Sequence, residues 1–109
     1  MHELGITQEI LEVITERAGD RKVKRVVLEI GKLSCVLPDA IRFCFDLCAE
    51  GTIAEGAMLE IIQPPGRGRC RQCGTEFELE AVFARCVCGS TDIDWISGEE
   101  LRIKTMETI

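Results

Sequence analysis

Apolar residues recur at three- and four-residue steps through the first stretch of the chain. Leu4, Ile6, Ile10, Leu11, Val13, Ile14 and Ala18 form a stripe, and Glu9, Glu12 and Glu16 fall mostly on the other side. That is the 3.6-residue period of an amphipathic helix. Gly19-Asp20 supplies a stop, because glycine accepts the left-handed conformation that closes a helix. The period then drops to two. Between 23 and 31, Val26, Leu28 and Ile30 alternate with Val27 and Glu29, which predicts a strand ending at Gly31. Its basic lead-in, 21–25, reads as a solvated turn and strand edge. Pro38-Asp39 opens a second helix over 39–50, closed by Gly51. Ile41, Phe43, Cys44, Phe45, Leu47 and Cys48 make it apolar around much of its circumference, so it is expected to be mostly buried. Residues 57–63 predict a second strand, ended by Pro64-Pro65, which cannot donate ladder hydrogen bonds.

From 66 to 98 the apolar pattern thins to two short strand-like runs, 77–83 and 93–96. A piece of ~30 residues buries too little surface to fold without a staple. The tail, 100–109, returns to alternation, with Leu101, Ile103 and Thr105 on one face, and reads as a third long strand. The expected fold is α+β: two helices packed on a small three-stranded sheet whose last strand rejoins the first two. Residues 1–65 and 99–109 then form one domain, and 66–98 is an insertion within it.

The chain has 109 residues, 46% apolar and 29% charged, which is the size and composition of one globular unit. No apolar run approaches the ~20 residues of a membrane helix. The start, Met1-His2-Glu3, lacks the basic and apolar regions of a secretion signal. A net charge of −6 argues against a general electrostatic grip on nucleic acid. Seven cysteines without a secretion signal point to a reducing cytoplasm, where clustered thiols bind metal more often than they form disulfides. The single histidine is residue 2, so a histidine-based catalytic triad elsewhere is excluded.

The staple for the insertion is its four cysteines. Cys70-Arg71-Gln72-Cys73-Gly74 is a C-x2-C-G knuckle, and Cys86-Val87-Cys88-Gly89 is a second pair. Each glycine permits the tight turn that lets two thiolates face one ion. Four thiolates fill a tetrahedral zinc shell and leave no position for a substrate, which marks a structural Zn(II) site in a zinc-ribbon-like module. The second pair is C-x-C, one residue shorter than usual, and requires a tighter turn. Cys44 and Cys48, one helical turn apart, read as core packing.

His2 has two readings: an exposed side chain at a chain end, or a metal ligand. The Met1 α-amine, the amide nitrogens of His2 and Glu3, and His2 Nδ1 can close fused chelate rings around one ion. An all-nitrogen planar set suits Ni(II) or Cu(II).

These features resemble the HypA/HybF family, the nickel-insertion proteins of [NiFe]-hydrogenase maturation. The resemblance rests on Met1-His2-Glu3-Leu4, on residues 25–36 (RVVLEIGKLSCV), on 41–47 (IRFCFDL) and on 51–57 (GTIAEGA). The two knuckles and the closing 98–103 (GEELRI) complete it. It implies a nickel metallochaperone rather than an enzyme. Nickel is expected at Met1, His2 and Glu3, and zinc at Cys70, Cys73, Cys86 and Cys88. It further implies work with the nickel-handling GTPase HypB, delivery to the hydrogenase large subunit, and in some members service to urease; a homodimer is compatible with it. The competing reading is a zinc-ribbon module that binds protein or nucleic acid, with Arg67, Arg69, Arg71 and Arg85 around the knuckles to meet phosphates. Sparse aromatic residues count against that reading. A thiol oxidoreductase using Cys70 and Cys73 fits poorly, because no helix follows the C-x-x-C to lower its thiol pKa.

Overall fold

The computed structural model describes residues 2–80 and 84–109, with His2 described in its backbone alone. The elements run α1 (His2–Ala18), β1 (Val23–Ile30), α2 (Pro38–Ala49), β2 (Met58–Ile62), β3 (Gly66–Cys70), β4 (Glu76–Leu79), β5 (Ile93–Ser97) and β6 (Leu101–Thr108). The strands form two three-stranded sheets, ordered β2-β1-β6 and β4-β3-β5. The C-terminal strand therefore joins β1 and β2, as the alternation of the tail predicts.

The chain divides into two compact units. The first comprises Met1–Leu28, Val36–Ile61 and Arg102–Ile109. Its core is built from Leu11, Ile14 and Ala18 of α1, Val26, Val27 and Leu28 of β1, and Ile41, Phe45 and Ala49 of α2. Three consecutive buried residues in β1 put apolar side chains on both faces of this central strand. Toward the start of β1, Arg25 ties the three strands together: its guanidinium lies 2.7 Å from Glu60 on β2 and 3.5 Å from Glu107 on β6. Backbone bonds from Val23 N to the Ile53 carbonyl and from Ile109 N to the Lys22 carbonyl, both 2.9 Å, close this unit.

The second helix departs from the burial expected around much of its circumference, whereas the first buries one stripe as its period predicts. On α2 only the row Ile41, Phe45 and Ala49 is buried, whereas Phe43 and Leu47 are 67% and 55% exposed. Residues four apart share a face, and α2 covers the core with one face only. On α1 the buried row includes Thr7, whose hydroxyl donates to the Glu3 carbonyl at 2.7 Å. That internal bond satisfies the hydroxyl and lets a polar residue sit in the core.

The second unit comprises Glu29–Cys35 and Ile62–Leu101. Its sheet is antiparallel, with β3 in the centre. β3 has the sequence Gly-Arg-Gly-Arg-Cys, and Gly66, Gly68 and Cys70 face inward while the arginines face out. The glycines are required by space. A Cβ on Gly66 would lie 2.5 Å from Leu33 Cδ1, and one on Gly68 would lie 2.6 Å from Ile93 Cγ2. Between Arg67 and Gly68 the register with β5 shifts, skipping Ile96, which is exposed. Trp95 is half-buried opposite Gly68. The strand expected over 77–83 is realised as β4, and residues 81–83 lie outside the described residues. The turn after β1 is pinned by Gly31 N to the Glu100 carbonyl and Leu33 N to the Gly98 carbonyl, both 2.7 Å.

Candidate metal centre

Two turns of the second unit carry the four cysteines. In the first, Cys70 N donates to the Thr75 carbonyl and Gly74 N donates to the Cys70 carbonyl, each at 2.9 Å. In the second, Cys86 N donates to the Ser90 carbonyl at 2.9 Å and Gly89 N to the Cys86 carbonyl at 2.8 Å. The two turns thus use the same pair of backbone bonds, and each span in the second is one residue shorter. Gly74 and Gly89 close them at φ +77° and +94°, the left-handed region that glycine reaches without strain. The C-x-C spacing is absorbed in this way by a tighter copy of the same knuckle.

The four thiols converge. Cys70 Sγ lies 3.6 Å from Cys88 Sγ, Cys73 Sγ lies 3.4 Å from Cys86 Sγ, and all four sulfurs fall within 4.8 Å of one another. A regular tetrahedron with Zn–S bonds of about 2.3 Å has sulfurs roughly 3.8 Å apart. The cluster therefore fits a closed zinc shell, with Cys70 and Cys86 buried and Cys73 and Cys88 exposed. Zinc here would supply cross-linking, since no fifth ligand position remains.

The electrostatics of the thiols are graded. Cys73 is brought down to about 6, first because the Thr75 hydroxyl and backbone N–H stabilise its thiolate. Cys70 is also lowered, chiefly by the backbone N–H of Cys73. Cys86 receives a hydrogen bond from the Cys88 N–H, yet burial and the surrounding thiols push it up to about 12. Four thiolates this close repel one another, and a divalent cation is what permits all of them to ionise.

Two of the four arginines around the knuckles are already ion-paired inside the unit. Arg69 meets Glu76 at 2.9 Å, and Arg71 meets Asp94 at 2.6 Å with Asp92 nearby at 3.7 Å. Cys44 and Cys48 are half-buried on α2. Cys35 is exposed in the turn after β1, at φ +63°.

At the other candidate site, Met1 and the His2 side chain lie outside the described residues. α1 begins at His2, so the amide groups of His2 and Glu3 belong to the first turn, where no intrahelical carbonyl receives them. The Glu3 carboxylate accepts from Leu37 N at 3.2 Å, and this bond is the main cause holding its pKa below the usual value. It ties the first turn of α1 to the residue preceding α2. Sequence reasoning missed this contact, because nothing in the pattern links residue 3 to residue 37.

The family profile described as "Hydrogenase/urease nickel incorporation, metallochaperone, hypA" matches residues 1–108. The chain belongs to the HypA family. It is 61% identical to the hydrogenase maturation factor HypA of Nostoc punctiforme over 98% of this chain and 95% of that one. It is 50% identical to the factor of the same name from Geobacter metallireducens, covering 98% of each. The solution structure of the nickel metallochaperone HypA from Helicobacter pylori shares the fold, with a TM-score of 0.70 at 23% identity over 98% of this chain and 97% of that one.

Proposed function

We propose that this protein is a nickel metallochaperone. It binds Ni(II) through Met1, His2 and Glu3 and helps insert it into the large subunit of [NiFe]-hydrogenase during maturation. One structural Zn(II) is held by Cys70, Cys73, Cys86 and Cys88. The observation that carries this reading is the HypA match along residues 1–108, joined to the convergence of the four thiols. Residues 1–65 with 99–109 serve as the nickel domain and 66–98 as the zinc module.

The protein is a carrier and has no catalytic step of its own. Nickel is its cargo. The planar nitrogen set suits Ni(II), and protonation of the amine and amides at the acceptor releases it. The GTPase HypB and the hydrogenase large subunit are its partners, with urease maturation proteins as a second destination. The reading places it in the cytoplasm, whose reducing conditions keep its cysteines out of disulfides. The test is His2→Ala, followed by nickel titration and zinc analysis. The expected result is loss of specific nickel binding with zinc content and far-UV circular dichroism unchanged. Nickel affinity equal to that of the parent protein would overturn the assignment.

A further inference from the structure

The first unit carries a groove of about 730 Å³ between its two helices, lined by Gln8, Leu11, Glu12, Thr15 and Glu16 of α1 and by Cys48 of α2. We propose that this groove docks a basic amphipathic helix of a partner protein. The metal chemistry makes no use of it.

Helix geometry defines its walls. On α2, Phe43 and Leu47 stand one turn apart and roughly 180° round from the buried row Ile41, Phe45 and Ala49, at about 100° per residue. The Cys44–Cys48 row lies between them on the groove side. Phe43 and Leu47 therefore form an apolar crest along the α2 wall, at 67% and 55% exposure. Glu12 and Glu16, both exposed and also one turn apart, form an acidic crest along the α1 wall. Leu11 and Cys48 contribute an apolar floor. Two exposed large apolar side chains one turn apart, beside the groove, mark a contact surface, where single scattered ones would not.

Charge decides the occupant. α1 and α2 together carry six carboxylates, Glu3, Glu9, Glu12, Glu16, Asp39 and Asp46, against two guanidiniums, Arg17 and Arg42. Arg42 is turned to the Leu59 carbonyl at 2.7 Å. Most of the net charge of −6 thus resides on this helical layer. A helix with a leucine-like stripe for the floor and crest, and Lys or Arg beside it for Glu12 and Glu16, satisfies both walls. A second copy of this chain does not. Two-fold pairing sets the acidic crests against each other or against Phe43 and Leu47, and either arrangement leaves carboxylates without counter-charge. From Gln8 to Glu16 the groove runs about 12 Å, enough for two to three turns of a docked helix.

The test uses the zinc-loaded full chain and a fluorescent 14-residue peptide of Leu and Lys at amphipathic helical spacing. Peptides with Glu in place of Lys, and with Ser in place of Leu, serve as controls. The Leu/Lys peptide is expected to bind saturably, and both controls to bind at least tenfold more weakly. F43S/L47S should lower affinity at least tenfold, and E12Q/E16Q roughly five- to tenfold, the effect of two rim charges. All four positions are exposed, so circular dichroism should confirm that both variants keep the fold. Equal binding of the Leu/Glu or Ser/Lys peptide, or affinity unchanged in F43S/L47S, would overturn the proposal. So would sedimentation showing a dimer that F43S/L47S dissociates, because the groove would then be a self-association face.

Discussion

Stripping the metal from the four-thiol cluster should unfold the second unit and leave the first one folded. Among the described residues of Ile62–Leu101 the most deeply buried apolar side chains are Cys70, Leu79 and Cys86, at 1%, 2% and 3% exposure, and two of these are cluster thiols. Leu33, at 8%, packs over Gly66 from the other segment of the unit. Two buried leucines contribute about 3–6 kcal/mol. A structural zinc on thiolates contributes about 10–16 kcal/mol at neutral pH. The metal term therefore exceeds the aliphatic one, and the sheet β4-β3-β5 should not survive its loss. The first unit has its own core of Ile14, Leu28, Ile41 and Phe45, each 1% exposed or less. Hydrogen exchange read by mass spectrometry separates the two. After chelation, or in Cys86→Ser, peptides covering Gly66–Cys70 and Ile93–Ser97 should lose protection, while those covering Val23–Ile30 and Pro38–Ala49 keep it. Unchanged protection in β3 and β5 after complete zinc removal would show that the apolar packing suffices and that the argument from magnitude is wrong.

Three further outcomes are expected. At neutral pH iodoacetamide should spare all four cluster thiols in the zinc-loaded protein and modify Cys70, Cys73, Cys86 and Cys88 at similar rates once the metal is removed and the second unit unfolds; peptide mapping over a time course reads the difference. Gly98→Ala should destabilise the second unit by more than ~1 kcal/mol, since Gly98 sits at φ +110° and its Cβ would lie 2.6 Å from Gly66 Cα; denaturation of the zinc-loaded protein, followed by Trp95 fluorescence, reads the loss. The Glu3 carboxylate has a folded pKa below its ordinary 4.5, so the bond to Leu37 N is present above that value and is lost as pH falls through the lowered one. The Leu37 amide resonance should therefore shift with a midpoint below 4.5 and should show no such step in Glu3→Gln.

Hydrophobic period gave away both helices, β1, β2 and β6, because each sets an apolar face on a core. It was silent on β3. The inward face of that strand is Gly66, Gly68 and Cys70, chosen for close approach of Leu33, Ile93 and Leu79, and glycine has no place in an apolar pattern. The tail shows a related failure. Leu101 and Thr105 are exposed, and partial burial falls on Ile103, Met106 and Thr108, so strict alternation does not run the length of β6. Composition alone also overstated the burial of α2, since Phe43 and Leu47 are as apolar as Ile41 and Phe45 and differ only in which way the helix turns them. The cluster was legible for a different reason: four thiols in two knuckles have one economical arrangement around an ion. The link from Glu3 to Leu37 was not, because it depends on where the fold brings the start of α2. The packing of Glu29–Cys35 with the cysteine unit was equally hidden, being set by backbone bonds from Gly31 and Leu33 to Glu100 and Gly98.

The most direct test of nickel carriage at the N-terminus is metal stoichiometry on protein with its native first residue, beside a copy extended by one residue ahead of Met1. The extension converts the α-amine to an amide and removes that ligand while leaving every other residue in place. One zinc in both proteins, with one planar diamagnetic nickel in the native form alone, is the predicted result. One zinc in both, with nickel bound equally by the two forms or by neither, would contradict it.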